Sequence, residues 1–214
     1  VTLALLHTSP VHVPVFDGLR DRHHPGLVLR HLVAEELLDR ARVEGPEAVV
    51  GAVRDALAEA VAGGARAVLC TCSTIGGVAE RSAADLGVPV LRVDRPMAAE
   101  AAGSERIVVV AAVTSTLEPT VDLVREESGD TTSIVTTLLV DGAWERFEAG
   151  DRNGYLDTVA AAVDRIDPTG GGVVILAQAS MADAAERTAT PLPVLSSPRL
   201  GLAAAADAVV RRHE

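Results

Sequence analysis

A chain of 214 residues that is 48% hydrophobic can build one medium domain or two small lobes, and its net charge of −11 argues against nucleic acid and anionic membrane surfaces as partners. Aromatic residues are only 2% of the chain, so no stacking platform for single strands accompanies the arginines. The chain contains no lysine, which disfavours pyridoxal phosphate chemistry and P-loop phosphoryl transfer, since both need one.

Residues 2–7 are a short apolar run closed by His7 and read as a buried strand. The run lacks a basic leader and a cleavage site, so it is not expected to be a signal peptide. No apolar run is long enough to span a bilayer. The expected setting is soluble and cytoplasmic. Thr8-Ser9-Pro10 reads as a turn, with Pro10 placed to open a helix over residues 11–22. His23-His24-Pro25-Gly26 is a loop by its Pro-Gly pair, and residues 27–33 alternate like a second strand. Glu44-Gly45-Pro46 opens a long amphipathic helix to residue 62, ended by Gly63-Gly64. Residues 67–72 form an apolar strand that runs into a small polar cluster. A helical pattern follows over 78–86, then a strand over 88–93 and a connecting helix over 94–102.

The pattern then starts again. A strand is expected over 106–113, a helix over 117–127 and a Thr/Val-rich strand over 131–140, before the turn Asp141-Gly142. Helices follow over 143–149 and 154–165, and 168–172 is a loop. A strand over 173–177, a helix over 181–188, a strand over 194–195 and an Ala-rich helix over 198–212 complete the chain. Such alternation builds parallel sheets with helices on both faces, and ligands in such folds bind beyond the carboxyl ends of the strands.

The two halves also match residue by residue. A shift of 106 places Cys72 on Gln178, Ala79-Glu80-Arg81 on Ala185-Glu186-Arg187, and Thr8-Ser9 on Thr114-Ser115. After a two-residue deletion, Val88-Pro89-Val90-Leu91 meets Leu192-Pro193-Val194-Leu195. The expected fold is therefore α/β: two pseudo-symmetric lobes, each a four-stranded parallel sheet flanked by helices, with the active site in a cleft between them. The first lobe spans 1–98 and is completed by 198–214; the second spans 99–197.

The stretch Cys70-Thr71-Cys72-Ser73-Thr74 carries the candidate chemistry. A thiol at a strand-to-helix turn sits beside unpaired backbone N–H groups and the positive end of a helix dipole, and both favour thiolate. A shift of about two units would make thiolate the majority form at neutral pH, for roughly 2.7 kcal/mol of differential stabilisation. Cys72 is the candidate reactive group. Cys70, two places earlier, reads as a core residue. The two are too close in one strand for a relaxed disulfide, and reduced cysteines fit the cytosol. No third or fourth ligand has metal-site spacing, so no metal is expected.

Thr8, Ser9, Ser73, Thr74, Thr114, Ser115, Thr116 and Ser180 are candidate substrate-binding residues, through hydroxyls and helix N-terminal amides. Simple helix capping is the plainer alternative. Ser196-Ser197 falls at the same edge. Arg95 and Arg199 could assist in anion binding, and Asp94 could hold the site's geometry. His7 reads as strand-end packing, His12 as a residue near the site, and His23, His24 and His31 as loop and strand histidines. Trp144, Phe147 and Tyr155 read as a packing cluster.

The strand–Thr-Cys-Ser-Thr–helix turn and the internal repeat resemble the aspartate/glutamate racemase superfamily. That group includes amino-acid and hydantoin racemases, maleate isomerases and arylmalonate decarboxylases. Further segments carry the resemblance across nearly the whole chain: Leu6-His7-Thr8-Ser9 with Pro14-Val15-Phe16, Val93-Asp94-Arg95-Pro96-Met97-Ala98, Leu117-Glu118-Pro119-Thr120, Leu176-Ala177-Gln178-Ala179-Ser180-Met181 and Leu195-Ser196-Ser197-Pro198-Arg199. The resemblance implies a cofactor-independent enzyme, a dimer, and a small carboxylate or amino-acid substrate. In the family's racemases two cysteines flank the α-carbon, one from each half. Cys72 matches the first. Gln178 stands at the second position and cannot act as a base at neutral pH; it could instead donate a hydrogen bond to a carboxylate or enediolate. The leading expectation is racemase or epimerase chemistry with Cys72 moving the proton. Behind it stand a single-cysteine isomerase or decarboxylase and a non-catalytic small-acid binding protein.

Overall fold

The computed structural model describes residues 2–211; Val1 and the end of the expected closing helix, from Arg212 onward, lie outside the described residues. The chain forms two compact units, Val1–Pro96 with Pro198–Glu214, and Met97–Ser197. Each contains one four-stranded, wholly parallel sheet, as the alternating pattern requires.

In the first unit β1 (Thr2–His7) is followed by α1 (His12–His23), β2 (Val28–Val33), α2 (Glu35–Glu44) and α3 (Val50–Ala62). Then come β3 (Ala67–Cys70), α4 (Ser73–Arg81), β4 (Val90–Arg92) and α5 (Arg95–Ala101), the last running into the second unit. The sheet order is β2-β1-β3-β4. Alternate residues of β1 and β3 serve opposite faces. Ala4, Leu6, Val68 and Cys70 pack with Leu37, Val53, Leu57 and Ile75 of the helices on one side. Leu3, Leu5, Ala67 and Leu69 pack with Phe16 and Leu19 on the other, joined by Leu202, Ala205 and Val209 from α9 (Ser197–Val210).

The second unit repeats this with β5 (Arg106–Ala111), α6 (Thr114–Ser128), β6 (Ile134–Leu139), α7 (Ala143–Glu148), α8 (Arg152–Asp164), β7 (Val173–Leu176) and β8 (Val194–Ser196), in the order β6-β5-β7-β8. Val108, Val110, Val174 and Leu176 pack against Leu156, Val159 and Val163 of α8 and against Met181 and Ala184.

Three local expectations change. The helix expected to open at Glu44-Gly45-Pro46 starts as a 3-10 turn, Pro46–Val49, that leads into α3, and an unexpected helix, α2, ends just before Gly45, whose φ is 88°. Helix α2 leaves little trace in the sequence because its buried stripe is only Leu37 and Ala41. Helix α4 begins at Ser73, five residues before the expected start, and runs straight through Gly76-Gly77. Finally, the segment expected as a helix over 181–188 is a 3-10 run, Ala179–Arg187.

The register also corrects the repeat. Leu6 pairs with Cys70 and Val110 with Leu176. The shift of 106 therefore holds for β3 onto β7, but β1 maps onto β5 at 104. β2 maps onto β6 at 106 and β4 onto β8 at 104. Thr8 consequently corresponds to Ala112, not Thr114, and His7 to Ala111.

Candidate active site

Cys72 follows β3 directly and caps α4 with an extended backbone, φ −110° and ψ 116°. That conformation turns the first amides of the helix back toward the cap. The thiol makes no cap hydrogen bond to the helix, but the Thr8 and Thr74 hydroxyls and the Thr74 and Ile75 backbone amides face the sulfur. All of these favour thiolate. Burial outweighs them, and the Cys72 thiol is pushed up rather than down from its ordinary range. The expected majority thiolate is thus not the resting form. Only 9% of Cys72 is exposed, and the loss of solvation decides the sign.

Cys70 is fully buried, and burial followed by the neighbouring Cys72 pushes its thiol up too. Its sulfur lies 3.7 Å from the Cys72 carbonyl oxygen, to which it donates. Cys70 is thus a brace for the turn. Both thiols are free.

Two buried networks hold the turn in place. On one side Arg92 donates from Nε and Nη2 to Asp94 at 2.7 and 2.9 Å. This pair is buried under α4, where a Cβ on Gly76 would meet the Arg92 Cβ at 3.0 Å. Gly76 thus lets Arg92 approach the helix closely. Arg95 makes a bidentate pair with Glu80 of the same helix. On the other side the Thr71 hydroxyl donates to the Leu6 carbonyl at 3.2 Å. It must then accept from His7 Nδ1, 2.8 Å away. His7 Nε2 in turn accepts from His31 Nδ1 at 2.8 Å, and His31 Nε2 faces Asp17 Oδ1 at 3.4 Å. Burial, with His12 and His31 nearby, lowers the His7 pKa to about 3, so the ring is neutral. Sequence reading took His7 and His31 for unconnected residues; nothing in their spacing of 24 announces the pairing.

The matching turn of the second unit has the same backbone and different chemistry. Gln178 caps the 3-10 run with φ −119° and ψ 138°. Its Oε1 accepts from the Ala112 amide at 2.6 Å. Ala112 is the counterpart of Thr8, so each turn residue is held by the same strand end. Two residues on, the Ser180 hydroxyl lies 2.8 Å from the Tyr155 hydroxyl. Burial pushes Tyr155 up to about 12, so it stays protonated.

Solved structures with this fold include an aspartate racemase from Picrophilus torridus, with a TM-score of 0.71, 14% identity, 98% of this chain covered and 94% of that one. A glutamate racemase from Thermus thermophilus matches with a TM-score of 0.67, 20% identity, and coverage of 100% and 82%. An arylmalonate decarboxylase matches with a TM-score of 0.61, 18% identity, and coverage of 98% and 92%. No match to the chain was found among curated protein sequences. The sequence model of the Asp/Glu/hydantoin racemase family matches residues 10–205. The chain belongs to this family. Membership sets it among cofactor-independent racemase- and isomerase-like proteins.

For this racemase-family chain the remaining candidates fall as follows. Thr8, Ser73 and Thr74 are buried at the Cys72 turn, with Ser9 half-buried beside them. Thr114, Ser115 and Thr116 form the first turn of α6 rather than a strand end. The Ser115 and Ser197 hydroxyls are buried and unpaired, so each has a hydrogen bond to give. Arg199 is exposed. Trp144, Phe147 and Tyr155 pack as expected, with ring centroids 4.8 and 5.3 Å apart. Among the described residues no helix is long and apolar enough to cross a membrane, and no cluster of three or more His, Cys, Asp and Glu could hold a metal ion.

Proposed function

We propose that the chain is a cofactor-independent enzyme that moves a proton at the carbon next to a carboxylate, with Cys72 as its one reacting thiol. The carrying observation is a sulfur buried at the N-cap of α4, where burial pushes the thiol up from its ordinary range and the donors of Thr8, Thr74 and Ile75 face it. Such a group is a better acid than base at rest. It hands its proton to a planar enediolate carbon, and the thiolate left behind is met by the amides of Thr74 and Ile75 and the hydroxyls of Thr8 and Thr74. Solvent then returns the proton to sulfur. Ser9 and Ser73 are assigned to the substrate carboxylate beside this turn.

The fixed Gln178 amide supports one-sided chemistry. Its oxygen is taken by the Ala112 amide, leaving only its NH2 group to donate. Gln178, Thr114, Ser115, Thr116 and Ser180 are assigned binding roles, with the unpaired Ser115 hydroxyl the first candidate. Decarboxylation of a malonate-type acid meets these terms. The C–CO2 bond breaks, its electron pair enters the enediolate, and Cys72 supplies the proton. Racemisation or epimerisation is the second reading, favoured by family membership; it needs another acid or base opposite Cys72.

Incubation with amino acids, malonates and unsaturated dicarboxylic acids in D2O tests both readings. Carbon dioxide release or double-bond isomerisation, with deuterium entering one face and everything lost in Cys72→Ala, is the expected result. Deuterium at the α-carbon of both enantiomers selects racemisation. Turnover unaffected by Cys72→Ala sinks the reading, and binding of these acids without turnover leaves only a binding protein.

A further inference from the structure

The second unit contains a cavity of about 330 Å3 at the amino end of its sheet, away from the Gln178 turn. Its floor is apolar: Val108 of β5, Leu138 of β6, and Ala162 and Ile166 at the end of α8. That volume is at the low end of the roughly 300–1,000 Å3 typical of small-molecule sites.

Three charged groups line it, and they are not equivalent. The Arg106 guanidinium is occupied by the Asp167 and Gly171 carbonyls, at 2.7 and 3.3 Å. Asp167 lines the cavity too, and its carboxylate accepts from the Thr169 amide at 2.9 Å. The Arg165 side chain has no hydrogen bond or ion pair with another described residue. Position at the C-terminus of α8 suits a cation there, but does not account for an open apolar pocket beside it.

In the first unit an exposed arginine lies over the matching place. By register Arg30 corresponds to Thr136, Leu32 to Leu138 and Ala4 to Val108. Arg30 lies across the end of α3 and donates to the Gly63 carbonyl at 3.2 Å. Its Nη1 ends directly over Gly63, 1.5 Å from where a Cβ on that glycine would lie. In the second unit Thr136 is too short to make this plug, and the space stays open.

We propose that the cavity is a second ligand site, for a small organic anion with an apolar body. The carboxylate pairs with Arg165 and the hydrocarbon covers Val108, Leu138, Ala162 and Ile166. The site is separate from the Cys72 chemistry and does not depend on it.

Calorimetric titration with hexanoate, with hexylamine as the cationic control, tests this. Saturable one-to-one binding of hexanoate and none of hexylamine is expected. Thr136→Arg restores the plug of the first unit at an exposed strand position, and should abolish binding while circular dichroism stays unchanged. Arg165→Gln removes the unpaired cation and should weaken binding about tenfold. Cys72→Ala should bind as the parent does. No saturation by hexanoate, equal binding of hexylamine, or full binding by Thr136→Arg overturns the proposal.

Discussion

At the end of β3 the chain places a sulfur among four hydrogen-bond donors; at the end of β7 it places an amide oxygen on one backbone N–H. Both caps are extended and close to one another in φ and ψ. Their supports differ throughout. Under the first turn lie Arg92 and Asp94, and the register puts Ser196 and Pro198 at the matching positions. Gly76 makes room for Arg92, while beside its counterpart Ala182 the residue that matches Arg92 is Ser196. Thr71 and His7 have as counterparts Ala177 and Ala111. Strand register preserves the backbone of a turn through a duplication, and the side chains beneath it decide whether the turn can do chemistry.

The largest effect expected from breaking this difference is on stability. Asp94→Ala removes the bidentate acceptor of the buried Arg92 guanidinium and should cost about 3–5 kcal/mol in denaturant unfolding. Next comes pH. The His7 pKa is lowered to about 3 in the folded protein against about 6.5 unfolded. The unfolded chain binds the proton more readily across this window. Stability is therefore full above about pH 6.5 and falls by about 1.4 kcal/mol per unit as pH drops toward 3. His12, His31 and Asp17 are the titratable groups facing this ring or its partner. His7→Asn should flatten the slope between about pH 5 and 6.5, above the range where carboxylates titrate.

Giving the first turn the residue of the second is a finer test. Gly76→Ala drives a Cβ against Arg92 and should cost about 1–3 kcal/mol. Ala182→Gly, the reverse exchange, should cost at most about 1 kcal/mol. The smallest effect is chemical. Thr8→Val removes one donor from the Cys72 sulfur, so the thiol pKa should rise still further. Iodoacetamide labelling at pH 8 should then slow about tenfold, from a parent rate already below that of a free thiol. A Thr8→Val protein that labels faster would mean that burial is not what holds the proton on sulfur.

The sequence revealed the strands well, because Val/Leu runs between Gly, Pro and polar clusters admit few other readings. It also located Cys72 at a strand-to-helix junction. Helix α2 escaped notice because two buried residues make too faint a stripe. The start of α4 was hidden by Gly76-Gly77, which look like breakers until Arg92 is seen beneath them. The Thr-Ser pairs of the two halves invited a shift of 106 across β1, where pairing with β3 and β7 requires 104. The sign of the Cys72 shift depends on burial, and the link from Thr71 through His7 and His31 to Asp17 depends on three strands lying side by side. Neither quantity exists along a one-dimensional chain.

The run from Ala179 to Arg187 extends for nine residues as a 3-10 helix, where three or four is the usual limit. Its i→i+3 bonds are poorly aligned and its side chains eclipse every third position. Its amide protons should therefore exchange with solvent sooner than those of α4, although both segments carry buried faces of similar make-up. A duplicated architecture can in this way keep one arm stiff and leave the other yielding, with no glycine hinge and no loop insertion to mark the yielding arm.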